Sequence, residues 1–122
     1  MKKVLKKLQV SEHLEQVALV NRLRKEGHFV FAIPNGGKRD AVTGCHLKNE
    51  GVVAGIPDLC VLTSAGRVFW IELKTREKGK LSAVQKKIHE TFEKHNQTVL
   101  VGLGAKDAYE KFQSEVAKNG ND

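Results

Sequence analysis

Asp58, Glu72 and Lys74 are charges set into a stretch, residues 55–74, whose other members are largely apolar. Residues 59–62 and 68–73 are rich in β-branched, aromatic and other apolar side chains, and Thr63-Ser64-Ala65-Gly66 between them is turn chemistry, so the stretch predicts two antiparallel strands. Side chains along a strand alternate faces, which puts Glu72 and Lys74 on one face, roughly 7 Å apart, and Phe69, Ile71 and Leu73 on the other. Asp58 begins the partner strand and can lie opposite that pair. Two carboxylates and an ammonium meeting at the end of a hairpin make a place for a hard divalent cation, with the lysine left to act on whatever the cation binds. Such an arrangement suits cutting a phosphodiester.

A plainer account exists for the same residues. Glu-x-Lys on one strand face is a common exposed ion pair, and Pro57-Asp58 can simply open a strand. The flanks weigh against it. Val68, Phe69, Trp70, Ile71 and Leu73 make both faces of the second strand apolar, as in a central strand, where a charge is costly unless it is paired or bound to metal.

The elements that must position this hairpin are legible on either side of it. Residues 1–10 carry four lysines among Val4, Leu5 and Leu8 and read as a short amphipathic turn or a solvated basic arm. Ser11 suits an N-cap, and residues 12–26 have helical periodicity ended by Gly27. The apolar stripe of that helix, Leu19, Val20 and Leu23, continues through Gln16 and Glu12, so its inward face turns polar near the start. Glu12 and Glu15 would in any case favour the positive end of the helix dipole. Residues 29–33 predict the first strand. The long connection after it, 34–54, holds Asn35-Gly36-Gly37, which permits close backbone approach, with Lys38 and Arg39 next to it and a short helix expected from Asp40 through Leu47. Glycines and bases together suit a grip on phosphate, against an ordinary solvated turn. His46 reads as a surface residue.

Beyond the hairpin, Arg76, Lys78 and Lys80 make a basic exit loop. Ser82 is expected to cap a helix whose apolar positions Val84, Ile88 and Phe92 recur every four residues, with Gln85 beside that stripe, and Lys86, Lys87, His89 and Lys94 on a solvated face. Residues 98–103 predict a buried fourth strand, and residues from 106 onwards a last helix with Tyr109, Phe112 and Val116 inward. The order predicts a mixed sheet flanked by helices, an α/β fold.

At 122 residues the sequence fits one domain. Its formal charge of +7 suits a polyanionic partner without identifying one. Two cysteines, Cys45 and Cys60, are too few for a disulfide framework and lack Cys-x-x-Cys spacing, which points to reduced thiols in a cytosol and away from zinc. No stretch predicts a membrane span or a secretion signal.

Gly55-Ile56-Pro57-Asp58-Leu59, then Trp70-Ile71-Glu72-Leu73-Lys74, then Gly79-Lys80-Leu81-Ser82-x-x-Gln85 resemble, in order and spacing, the signature of the virus-type replication-repair nucleases, the VRR-NUC branch of the PD-(D/E)xK superfamily. Ser11-Glu12-x-x-x-Gln16 and residues 33–39 resemble segments of its short phage-borne and bacterial members. The resemblance implies a restriction-endonuclease-like αβββαβ core over residues 11–118, with a basic arm at 1–10 and a frayed end at 119–122. It implies Mg2+ or Mn2+ held by Asp58, Glu72 and the Leu73 backbone carbonyl, with Glu12 as the helix acid and Glu15 as the fallback. Lys74 would be catalytic, with Gln85 nearby. Asn35, Gly36, Gly37, Lys38, Arg39, Arg76, Lys78 and Lys80 would touch DNA. The expected activity is metal-dependent DNA endonuclease action, structure-specific on branched DNA such as four-way junctions, by a homodimer in the cytoplasm of a bacterial or phage-infected cell and without a small-molecule cofactor. Two alternatives share the composition: an inactive or accessory nucleic-acid-binding protein, and a sequence-specific restriction-type endonuclease.

Overall fold

A strand that is apolar on both faces must be covered on both, and the sheet is built to do this for the second strand of the hairpin. The computed structural model describes residues 2–34, 41–75 and 80–119. Along the chain these form α1 (Lys2–Lys25), β1 (Phe29–Ala32), α2 (Ala41–Asn49), β2 (Leu59–Leu62), β3 (Val68–Lys74), α3 (Ala83–Lys94), β4 (Thr98–Leu103) and α4 (Gly104–Asn119). The strands lie in the order β1-β2-β3-β4. β1, β2 and β3 are antiparallel in sequence order, whereas β4 runs parallel to β3 after the α3 crossover. A parallel return of this kind needs a connection long enough to cross the sheet, and α3 supplies it.

The predicted hairpin is present with its expected turn. Thr63 N–H donates to the Arg67 carbonyl (2.8 Å), Gly66 N–H to the Thr63 carbonyl (2.9 Å), and Arg67 N–H to Thr63 Oγ1 (2.9 Å). Gly66 has φ of +87°, a conformation a side chain would resist. The register pairs Leu59 with Ile71 and Val61 with Phe69, so the alternation expected along β3 holds.

One face of the sheet carries the core. Val30, Leu59, Val61, Phe69, Ile71, Leu73 and Leu100 are buried with Leu19 and Leu23 of α1 and Ala108, Tyr109 and Phe112 of α4. Phe112 meets Phe69 edge to face at 5.3 Å. Helix α4 comes so close to β4 that a Cβ on Gly102 would stand 2.4 Å from the Ala108 Cβ, which only glycine allows.

The opposite face is covered by α3 along β3. Trp70 packs edge to face on Phe92 (4.9 Å) and donates from Nε1 to Gln97 Oε1 (3.0 Å). Nearer β1, Phe29, Phe31, Leu62 and Val68 are exposed. Ser82 caps α3 as predicted: its Oγ accepts from Gln85 N–H (3.1 Å), while Gln85 Oε1 accepts from Ser82 N–H (3.0 Å), a reciprocal capping box.

Two helix starts differ from expectation. Helix α1 starts at Lys2, so Ser11 lies inside the helix rather than at its N-cap. The segment 2–10 has neither Gly nor Pro and is rich in Lys and Leu, good helix formers that let the helix propagate outward once its later turns are packed. Its C-terminal end is as read, with Gly27 at φ +94° and His28 N–H donating to the Leu23 carbonyl (3.1 Å). Helix α4 starts at Gly104 rather than 106, where an acid from α1 accepts the Ala105 N–H, and it remains helical to Asn119. Among the described residues no helix is long and apolar enough to cross a membrane.

Candidate active site

Where β2 begins, its ladder with β3 gives way to a side chain. The backbone register stops at Leu59 and Ile71. One residue earlier, Asp58 Oδ2 accepts the Leu73 N–H at 2.8 Å, and the Asp58 carbonyl accepts the Ile33 N–H, also at 2.8 Å. Asp58 thus ties the end of β1 to β3 from the mouth of β2, and its carboxylate is fixed beside Glu72. Pro57, fully buried, sets the chain direction into it. The preceding Gly55 (φ +86°) lies under α3, where a Cβ would come 2.9 Å from Val84 Cγ1 and 3.1 Å from Ile88 Cγ1. The Gly-Ile-Pro-Asp segment is therefore shaped by the helix above it and delivers the acid to the strand end.

Glu72 points to the α3 side of the sheet and is only 2% exposed. Its carboxyl is pushed up to about 8. Burial is the main cause, followed by a hydrogen bond and charge repulsion from Asp58; Lys74 pulls the other way, and the charge of Glu12 adds to the upward push. Asp58, Lys74 and Glu12 therefore all act electrostatically on Glu72 at a single strand end.

His89 also belongs to this cluster. It is 7% exposed, and its Nε2 lies 3.4 Å from Glu72 Oε1. Burial lowers its pKa from the ordinary 6.5, opposed by Glu93. The expectation that His89 shares a solvated face with Lys86, Lys87 and Lys94 is thus corrected by its burial against Glu72. Position 89 is four residues after Gln85 and three before Phe92, so it shares their helix face; that spacing is the signal in the sequence.

The two helix acids separate. Glu15 Oε2 accepts the Ala105 N–H at the start of α4, and a Cβ on Gly104 would stand 3.0 Å from that oxygen. Asp107 Oδ2 accepts the Leu103 N–H (2.8 Å), so both acids serve the junction of β4 with α4. Glu12, a turn earlier on α1, is exposed and acts on Glu72 by charge. Gln85 spends its side-chain oxygen on the Ser82 cap. Lys80 is exposed, as is His46. Asn35, Gly36, Gly37, Lys38, Arg39, Arg76 and Lys78 lie outside the described residues. Cys45 and Cys60 are free thiols, exposed and buried respectively.

Among the described residues no group of three or more His, Cys, Asp or Glu side chains is disposed to hold a metal ion. A hard cation is nonetheless compatible with the donors present. Asp58 and Glu72 offer carboxylate oxygens, and Glu72 is buried in surroundings that disfavour its negative charge, which a nearby cation would relieve. Mg2+ in particular is commonly held by one or two carboxylates, with waters and phosphate oxygens completing its shell.

Two solved structures are similar to the chain over most of its length. One, described as a VRR_NUC domain, is 24% identical with a TM-score of 0.64, the match covering 84% of this chain and 95% of that one. Another, described as a VRR_NUC domain protein, is 21% identical with a TM-score of 0.68, covering 85% and 86%. No protein-family model and no curated protein matches the sequence. With its mixed four-stranded sheet between α1 and α4 on one side and α3 on the other, the chain has the α/β, restriction-endonuclease-like fold of the VRR-NUC domain structures.

Proposed function

We propose that the chain is a VRR-NUC nuclease that hydrolyses DNA phosphodiesters with a divalent cation, Mg2+ or Mn2+. The observation that carries this reading is Glu72: an acid buried on an interior strand, against a second acid and within the field of a lysine. Such a placement costs stability and is characteristic of sites tuned for chemistry.

Asp58 and Glu72 hold the cation, and the Leu73 carbonyl is the further oxygen donor. In an antiparallel ladder the N–H and C=O of one residue face the same neighbour, and the Leu73 N–H already faces Asp58. The bound cation supplies Lewis acidity to the scissile phosphate and lowers the pKa of a coordinated water. Lys74, on the same strand face as Glu72, presents an ammonium to the attacking water or to the charge that develops on phosphate. Glu12 supplies further negative charge at the edge of the site. Lys38, Arg39, Arg76, Lys78 and Lys80 grip the DNA backbone through charge, and Asn35-Gly36-Gly37 lets the chain approach it closely.

A single centre of this kind cuts one strand. Paired cuts at a branch, as at a four-way junction, call for two centres; the resemblance to short VRR-NUC proteins supports branched DNA as the substrate and a homodimer as the working form. A panel of labelled single-stranded, duplex, flap and four-way DNAs tests the substrate, with nicking expected to be strongest on the branched forms. Equal rates on all four would remove the structural preference. Sedimentation of the protein with junction DNA tests the dimer, and a single copy on the junction contradicts it.

A further inference from the structure

His89 is an expensive residue to bury, since a leucine would fill the same space beneath α3 without a polar atom to satisfy. Its Nε2 faces Glu72 Oε1 at 3.4 Å. The helix that carries it is closed at its start by the Ser82–Gln85 capping box and fixed against the rest of the fold at two points, the Trp70–Phe92 ring contact and the close approach of Val84 and Ile88 to Gly55. The Glu72 carboxylate, by contrast, stands at the end of a rotatable side chain, where its other side-chain partner is Asp58, itself a proposed ligand.

We infer that His89 is a positioning residue for Glu72, holding Oε1 so that the other carboxylate oxygen is presented with Asp58 to the cation. This rests on the metal-binding role proposed above for Glu72. With a proton on Nε2 the imidazole donates to Oε1 and restricts rotation of the carboxylate. At 3.4 Å the contact is longer than the usual N–H···O distance, and an ionised carboxylate, as a metal ligand is, draws such a donor in. Carboxylates that ligate metals are themselves oriented by such outer partners, whose loss typically weakens binding roughly 10–100-fold. The rigidity of α3 is thereby passed to a ligand on β3.

The test titrates Mn2+ alone into the full chain and reads free ion by electron paramagnetic resonance, for the wild type, His89→Leu, His89→Gln and Glu72→Gln. His89→Leu keeps bulk and removes the donor; His89→Gln restores an N–H near the place of Nε2. The expected result is Mn2+ binding weakened roughly 10–100-fold in His89→Leu, mostly recovered in His89→Gln, with the metal-free melting temperature of His89→Leu no lower than that of the wild type. Wild-type affinity in His89→Leu, with affinity lost in Glu72→Gln, overturns the inference and leaves the site reading standing. Equal weakening in the Leu and Gln variants also overturns it, because the imidazole's shape rather than its donor would then matter. If the wild type binds no Mn2+, or Glu72→Gln binds it undiminished, the site reading itself falls and takes the positioning role with it.

Discussion

The two faces of the sheet are built to different ends. On the α1/α4 face, Phe69, Ile71 and Leu73 project into an apolar core closed by Leu19, Leu23, Ala108 and Phe112. On the α3 face, the intervening positions of the same strand are Trp70, Glu72 and Lys74, and the helix opposite contributes His89 as well as Phe92. The seven residues of β3 thus serve stability on one side and carry charge into low dielectric on the other. The stabilising face offsets what the charged face costs, which is how a small domain can hold a buried acid at all.

The comparison breaks if substitutions on the two faces have similar consequences. The largest contrast is in activity: Glu72→Gln and Lys74→Ala should each abolish cleavage, by at least roughly 10²-fold on the scale of lost electrostatic stabilisation, with the circular dichroism spectrum unchanged. Undiminished cutting by either variant would overturn its assignment. On the other face, Phe112→Ala should cost about 3–5 kcal/mol in urea unfolding, with cleavage per folded molecule retained, since Phe112 lies in the core and packs on Phe69. Loss of activity beyond loss of folded protein would mean that the faces are not separable.

The third contrast uses pH. Glu72 has its carboxyl raised from 4.5 to about 8 in the folded chain. Between those values the native state holds a proton that the unfolded state has released, so the metal-free protein loses stability as pH rises, by on the order of a few kcal/mol over the window. Burial of His89, whose pKa is lowered, acts in the opposite sense below its ordinary 6.5, so the Glu72 effect is cleanest above that value. Metal-free melting should therefore fall as pH rises from there through about 8 in the wild type and stay nearly flat in Glu72→Gln. A wild-type profile as flat as that of the variant would show that Glu72 ionises normally. The smallest effect is expected at the helix cap, where Ser82→Ala should lower stability by about 1 kcal/mol through loss of the bond to Gln85 N–H.

Much of this architecture is legible in the sequence because it is local. Strand alternation fixes which side Glu72 and Phe69 face, Gly66 and Gly27 mark a turn and a helix end, and Ser82 announces its cap. What the sequence conceals depends on contacts between distant segments. Glu15 serves α4 across 90 positions of chain, which neither periodicity nor propensity reveals. His89 is hidden differently: its helix is studded with lysines, and a histidine among them reads as solvent-facing until its phase relative to Phe92 is counted. The start of α1 is obscured because Ser11 is a good cap, yet nothing in residues 2–10 resists helix. The separation of Glu12 from Glu15 likewise follows from where α4 begins.

The central claim is that Asp58, Glu72 and Lys74 form one metal-dependent hydrolytic centre. Its most direct test is cleavage of end-labelled four-way and duplex DNA by the wild type and by Glu72→Gln, with Mg2+ or Mn2+ and with EDTA. The account predicts product only for the wild type with metal present. Product in EDTA, or from Glu72→Gln at the wild-type rate, would contradict it.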